Sequence, residues 1–376
     1  MKHLAGKKIL YAFSTIDYAK LWQKVHFIDE LKHYNVETIL FNSYIYQEIS
    51  KYQLEIIDFV KKHQSEISFF ITADTGKRIY PETLNELRKL NIPSILLCYD
   101  NLSMPYLHQN ICKYFDVVWI TSRETEGLFK KWGANTIFMP YAANPYMFYP
   151  QNVNEIESVG FIGSIYGARG HKLNQIAYQN IPLNLYTGYS LLTNQKRKMD
   201  KTSILNEIRE LVLKSSKLIR FHEGRLLLKA DIKKSVKTIF SSKERLHQAI
   251  NINNSPTFEE MNLLYSKFAL SLGIIETWNT YLLKNPLFKI HLRTFEIPMC
   301  GGLQIVNRTD ELREYFEEDK EILLYGSEEE MIDKMKYYLS PDRSKVRLKM
   351  KKAARARSEA DHTWLRRFEK IENIIF

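Results

Sequence analysis

The sequence has little cysteine, and what it has is scattered. Cys98, Cys112 and Cys300 stand at no C-x-x-C spacing and make no even set. This excludes a disulfide scaffold and a cysteine-held metal, and it suits a reducing cytosol. No apolar run approaches the roughly 20 residues of a membrane-spanning helix. The N-terminus, MKHLAGKK, is basic and precedes Ile9–Phe13, but Asp17 and Lys20 interrupt the apolar stretch and no small-residue cleavage pattern follows. A signal peptide is not expected, and the reading is a cytoplasmic protein. H-E-x-x-H and Walker lysine motifs are also missing. Acids are short relative to bases: 43 Asp and Glu against 54 Lys and Arg give a net charge of +11. That balance favours an anionic partner. A nucleotide sugar, an anionic lipid surface and nucleic acid all qualify, and charge does not choose among them.

What is present fits two soluble α/β domains. A chain of 376 residues with 45% hydrophobic and 26% charged content is long enough for two cores. Over residues 7–150, strand and helix patterns alternate as in a parallel sheet. Strands are expected at Lys8–Ser14, Val36–Phe41, Ile67–Ala73, Ser94–Tyr99, Val117–Ile120 and Thr136–Met139, with Thr121-Ser122 capping a helix through Lys131. Ligands bind beyond the C-terminal ends of such strands. This makes Ser14, Thr15, Asp74, Asp100, Asn101 and Thr121 candidates, although each is equally suited to a turn or cap. Asp74 and Asp100 stand out as carboxylates that could bind a ligand's hydroxyls, and either could act as a base.

Pro140, Pro145 and Pro150 mark an irregular linker, so a domain boundary is expected near residue 150. A new strand, Ser158–Ile162, then runs into Gly163-Ser164-Ile165-Tyr166-Gly167-Ala168-Arg169-Gly170. A glycine-rich turn after a strand can cradle phosphate, with Arg169 and Lys172 supplying charge. A solvated basic face is the competing reading. Residues 196–250 are rich in Lys and Arg with apolar residues interleaved, which suits either a solvated helix pair or a surface element on an anionic membrane.

The stretch RTFEIPMCGGLQIV, residues 293–306, opens as a helical turn and closes as a strand. Arg293 and Glu296 share a helical face, and Gly301 and Gly302 allow close approach to the backbone. Such a set can hold a hydroxylated, phosphorylated ligand. It can equally be a helix–strand connection with a surface ion pair.

RTFEIPMCGGLQIV resembles the C-terminal signature of GT-B glycosyltransferases, particularly the CgeB-like group related to glycosyltransferase group 1. The likeness continues through ELREYFEEDKEILLYGSEEEMIDKMKYYL and HTWLRRFEKI, and VGFIGSIYGARGHKLNQI is similar to the opening of the family's second domain. The resemblance implies two Rossmann-like domains facing a cleft. These would be an acceptor-side domain at 1–150, a nucleotide-sugar domain at 151–350, and a C-terminal helix, 351–376, packing back on the first. It implies a glycosyltransferase drawing on a nucleotide-diphosphate sugar as co-substrate, with no cofactor, and a glycan, lipid-linked or protein acceptor in the cell envelope. The absence of Asp-x-Asp agrees with a metal-independent reaction. Glu296 matches the glutamate that contacts the ribose. The partner glutamate of related retaining enzymes would fall at 288, where this chain has Phe288. Arg169, Lys172, Lys289 and Arg293 are the available cations for the departing diphosphate, and the family match favours Arg169 and Arg293 as catalytic groups. Gly163, Ser164, Gly301 and Gly302 complete the expected donor site. A DNA-modifying sugar transferase, favoured only by charge, and a non-catalytic nucleotide- or sugar-binding protein of the same fold are the alternatives. Nucleic acid is the less favoured partner.

Overall fold

The computed structural model describes residues 4, 6–17, 21–188, 209, 212–240 and 245–376. The chain forms two units, residues 1–144 with 363–376 and residues 145–362. The expected divisions at 150 and 350 compare with these divisions at 144 and 362.

In the first unit, six parallel strands lie in the order β2-β1-β3-β4-β5-β6. They are β1 (Lys8–Phe13), β2 (Glu37–Asn42), β3 (Ile67–Thr72), β4 (Ser94–Cys98), β5 (Val117–Ile120) and β6 (Thr136–Phe138). Strands β3 and β4 are buried along their whole length. Such uninterrupted apolar runs are what a parallel sheet covered on both faces requires. The helices here are α1 (Asp29–Lys32), α2 (Ile49–His63), α3 (Pro81–Lys89) and α4 (Glu126–Lys131). Ile56, Leu84 and Phe129 close the core over Leu10, Phe70 and Val118. Thr121 and Ser122 do not cap α4. A 3-10 turn, Arg123–Thr125, intervenes, and Ser122 makes no side-chain cap. Thr121 Oγ1 instead donates to the Tyr99 carbonyl at 2.8 Å, while its N–H donates to Asn101 Oδ1 at 3.0 Å. Asn101 is thereby a buried structural residue.

The second unit holds β7 (Ile156–Ile162), β8 (Leu183–Thr187), β9 (Asn251–Asn254), β10 (Phe268–Leu272), β11 (Gln304–Asn307) and β12 (Leu323–Tyr325). All are parallel, in the order β12-β11-β10-β7-β8-β9. This is the doubly wound dinucleotide-type order, with β7 and β10 flanking its switch point. Its helices are α5 (Arg169–Tyr178), α6 (His222–Phe240), α7 (Phe258–Lys267), α8 (Arg293–Met299), α9 (Asp310–Tyr315), α10 (Glu328–Leu339) and α11 (Ser344–Asp361). A Thr257–Glu260 capping box starts α7. Within the expected returning segment, 351–361 belongs to α11, which stays with this unit. Glu155 accepts from Arg347 Nε at 2.8 Å and Lys351 Nζ at 2.5 Å, and Lys351 also donates to the Phe268 carbonyl at 2.8 Å.

Helix α12 (Trp364–Ile375) completes the first unit. Glu30 caps it from a distance in sequence, accepting the N–H groups of Trp364 at 3.2 Å and Leu365 at 2.7 Å. Trp364 Nε1 donates to His26 Nδ1 at 3.1 Å, and Arg367 Nε donates to the Pro140 carbonyl at 3.0 Å. Trp364, Phe368 and Ile371 are buried, as their spacing predicts.

Candidate functional site

Two segments leave the switch point of the second sheet. The turn 163–168 carries β7 into α5, and the loop 273–292 carries β10 to α8. In a doubly wound sheet this is where ligands are held.

Arg169 and Arg293 meet here. Their guanidinium carbons lie 5.7 Å and 5.1 Å from the centre of the same Phe161 ring. Arg169 is buried, stacks at 3.9 Å on Tyr166 and donates from Nη1 to the Ser164 carbonyl at 2.8 Å. Arg293 packs so closely on Gly163 that a Cβ there would stand 2.3 Å from Nη2. Arg169 Nε and Arg293 Nη1 are buried without a partner among the described residues. Burial, and then the charge of Arg293, push the Arg169 guanidinium down to about 10. Buried donors without acceptors and two cations that repel each other are costly. An anion between them would satisfy both.

The other expected cations differ. Lys172 is buried and forms an ion pair with Glu276, and its Nζ donates to Tyr325 Oη at 3.3 Å. Its charge is neutralised within the protein, which departs from a direct role on phosphate. Lys289 is buried, and its backbone N–H donates to the Ile275 carbonyl at 2.9 Å. Burial, followed by the charges of Arg293, Lys289 and Arg169, holds the His291 imidazole well below its ordinary 6.5. Glu276 and Tyr166 were not singled out by the sequence. Glu276 is the only charged residue in 273–283, and that isolation is the available signal.

Glu296 is buried on α8, one turn after Arg293. Burial pushes the Tyr265 hydroxyl up; Glu296 raises it further and Arg293 opposes, so both side chains act on the same point. Gly301 and Gly302 do not present bare backbone to a ligand. Gly301 has φ +69° and faces Pro150, while Gly302 faces the Tyr265 carbonyl and Ile297. The close approach that sequence reasoning assigned to a ligand is made by the chain itself. Ser164 is exposed and contributes its carbonyl.

In the first unit, Asp74 follows β3, at the switch between β1 and β3, and accepts from Ser43 Oγ at 3.5 Å. Burial pushes its carboxyl up to about 6, against the opposing charge of Arg78. Asp100 follows β4, away from that switch, and is exposed, its carbonyl accepting the N–H groups of Ser103 and Met104 in a turn. Topology and burial therefore separate two acids that the sequence left equivalent. Among the described residues, no helix is long and apolar enough to cross a membrane.

Residues 231–373 match the family described as glycosyl transferase-like. Among solved structures, sucrose-phosphate synthase from Thermosynechococcus elongatus is 13% identical, with 98% of each chain covered and a TM-score of 0.56. HepE of Anabaena, in complex with UDP-glucose, is 11% identical over 97% of this chain and 98% of that one, with a TM-score of 0.57. An α-glucosyltransferase in complex with UDP-glucose and DNA containing an abasic site is 11% identical over 98% of this chain and 99% of that one, at 0.58. The likeness to these structures shows the GT-B fold, and residues 231–373 are similar to the glycosyl transferase-like family. The family matched is the broad one, not the CgeB-like group. No curated protein matches this chain.

Proposed function

We propose that this protein is a glycosyltransferase that moves a sugar from a nucleoside-diphosphate sugar to a hydroxyl acceptor, with Arg169 and Arg293 on the diphosphate. The observation that carries the reading is the pair of guanidinium groups over Phe161, each with a buried nitrogen that has no acceptor among the described residues. In the reaction the bond from the sugar's anomeric carbon to the diphosphate oxygen breaks, and its electron pair stays on that oxygen. The acceptor oxygen forms the new bond, and its proton passes to a base. Charge grows on the leaving diphosphate, and fixed cations stabilise it most where it is largest. In this reading they do so without a metal. Glu296 accepts from the ribose hydroxyls. Asp74 is the better base candidate of the two acids. The UDP-glucose bound in HepE and in the α-glucosyltransferase supports a nucleotide-sugar donor.

A nucleotide-release assay across UDP-, GDP-, ADP- and CMP-linked sugars tests the activity. Arg293→Ala and Arg169→Ala should each lower kcat by on the order of 100-fold, as for loss of one oxyanion donor. Lysine should restore only part, because it lacks the planar fork. A folded alanine variant with normal kcat would remove that arginine from the site.

The acceptor in this reading belongs to cell-envelope glycan or glycoconjugate synthesis, reached from the cytoplasmic face. Exposed Ile219, Ile232 and Val236 lie among Arg220, Arg225, Lys229 and Lys233, an arrangement suited to an anionic bilayer. Lys196, Arg197, Lys198 and Lys201 of the same basic stretch lie outside the described residues. Vesicles containing anionic lipid should recruit the protein in low salt and neutral ones should not. A second reading, a DNA-modifying transferase, is favoured by the +11 charge and the DNA-bound α-glucosyltransferase. Tight, salt-sensitive duplex binding with no recruitment to anionic vesicles would select it.

A further inference from the structure

The loop after β10 folds back on itself. Thr277 N–H donates to the Leu287 carbonyl at 2.8 Å, and Lys289 N–H donates to the Ile275 carbonyl at 2.9 Å. Glu276 and Phe288 therefore sit opposite each other in an antiparallel bridge. Residues directly opposite in such a pair project to the same side. The carboxylate of Glu276 thus shares its side of the bridge with the apolar Phe288.

Glu276 is 7% exposed. One carboxylate oxygen, Oε1, pairs with Lys172. The other, Oε2, is buried with no partner among the described residues. The Lys172 ammonium is held in turn by Tyr325, whose hydroxyl donates to the Gly273 carbonyl at 3.4 Å. Glu276 lies near enough to Arg169 for its charge to act on that guanidinium. A carboxylate with one oxygen fixed by a buried lysine and the other vacant is an oriented acceptor. What fits it beside a diphosphate site is a neutral group rich in O–H donors. A second phosphate would be repelled, and an apolar group would leave the oxygen unsatisfied.

We infer that Glu276 Oε2 accepts hydrogen bonds from the hydroxyls of the transferred sugar, with Lys172 as its positioning residue. The inference rests on the donor reading above, and the experiment separates the two. Calorimetric titration of the full chain uses UDP, GDP and ADP beside the matching UDP-, GDP- and ADP-linked sugars. The wild type should bind one bare nucleotide, and its sugar-linked form more tightly. Glu276→Gln should leave the bare nucleotide's affinity within about twofold. It should weaken the sugar-linked form by roughly 10- to 100-fold, the usual worth of a hydrogen bond to a charged group. Glu276→Asp keeps the charge while retracting it. It serves where the glutamine variant fails to fold, and should show the same selective loss. Equal loss for both ligands, or none for either, overturns the inference and makes the ion pair purely structural. A wild type that binds no nucleotide overturns the donor reading itself, and the inference with it.

Discussion

Gly163→Ala is the sharpest probe of the arginine pair, because it touches Arg293 without altering any charged group. A Cβ at this position would lie 2.3 Å from Arg293 Nη2 and 3.1 Å from Cζ. Ordinary carbon contacts need about 3.5 Å or more, so the guanidinium must retreat by roughly 1 Å. Gly163 also has φ +149°, which an L side chain rarely adopts. The backbone strain costs about 1–2 kcal/mol, a fall of roughly 2–8 °C in Tm for a unit of this size. A misplacement of about 1 Å at a reacting group costs on the order of 100-fold in rate. The expected variant is therefore folded, slightly less stable and about 100-fold slower in kcat, with nucleotide affinity falling less. Gly301→Ala is the control. It carries similar strain, at φ +69° with Pro150 3.1 Å away, but moves no proposed catalytic group. It should lower Tm with kcat intact. Steady-state kinetics and scanning calorimetry on both variants decide the matter. A Gly163→Ala protein with wild-type kcat would refute the placement of Arg293 on the leaving group.

Glu296→Ala should weaken nucleotide binding by about 1–3 kcal/mol, the cost of a lost charged hydrogen-bond partner; unchanged affinity in a folded variant removes Glu296 from the ribose. Lys172→Met should destabilise the protein by about 3–5 kcal/mol because it strands the Glu276 carboxylate. The double variant with Glu276→Gln should recover much of that, and thermal melts read both. Asp74 has a folded value near 6 against its ordinary 3.8, so its contribution to stability is full below about 4 and is lost as pH rises through 6. As a base it must be ionised, so kcat/KM should climb through pH 6. Asp74→Asn should abolish that acid limb, and an unaltered profile would exclude Asp74 as the base.

Alternation of apolar runs with turn residues placed the six strands of the first sheet and β7 of the second to within two residues, because buried parallel strands leave an unmixed apolar signal; β8, β9 and β12 were not expected, and β9, Asn251–Asn254, has no apolar run to show. Arg169 and Arg293 stood out as candidates for a different reason. One follows a glycine turn at a strand end, and the other opens a motif with a recognisable spacing. Their mutual approach was not legible, since it depends on β7 and β10 becoming neighbours across more than one hundred residues of chain. The same gap explains Lys172. Its partner Glu276 arrives from another loop, and no local pattern announces a buried ion pair. Gly301 and Gly302 show the opposite failure. The sequence indicated that they allow a close approach, and Pro150 and Tyr265 are what comes close.

Helix α12 gives the chain an awkward order of manufacture. Glu30 and His26, made among the first residues, wait for Trp364 and Leu365, more than three hundred positions later. Phe27, Phe69 and Trp119 pack against Trp364 or Phe368 of α12, so that side of their packing waits for this helix. The middle of the chain, by contrast, is contiguous and can fold as it leaves the ribosome. The half made first is thus the half finished last. Loss of residues 363–376 would therefore damage the unit built on residues 1–144, and an excised 1–144 fragment would be an open core rather than a domain.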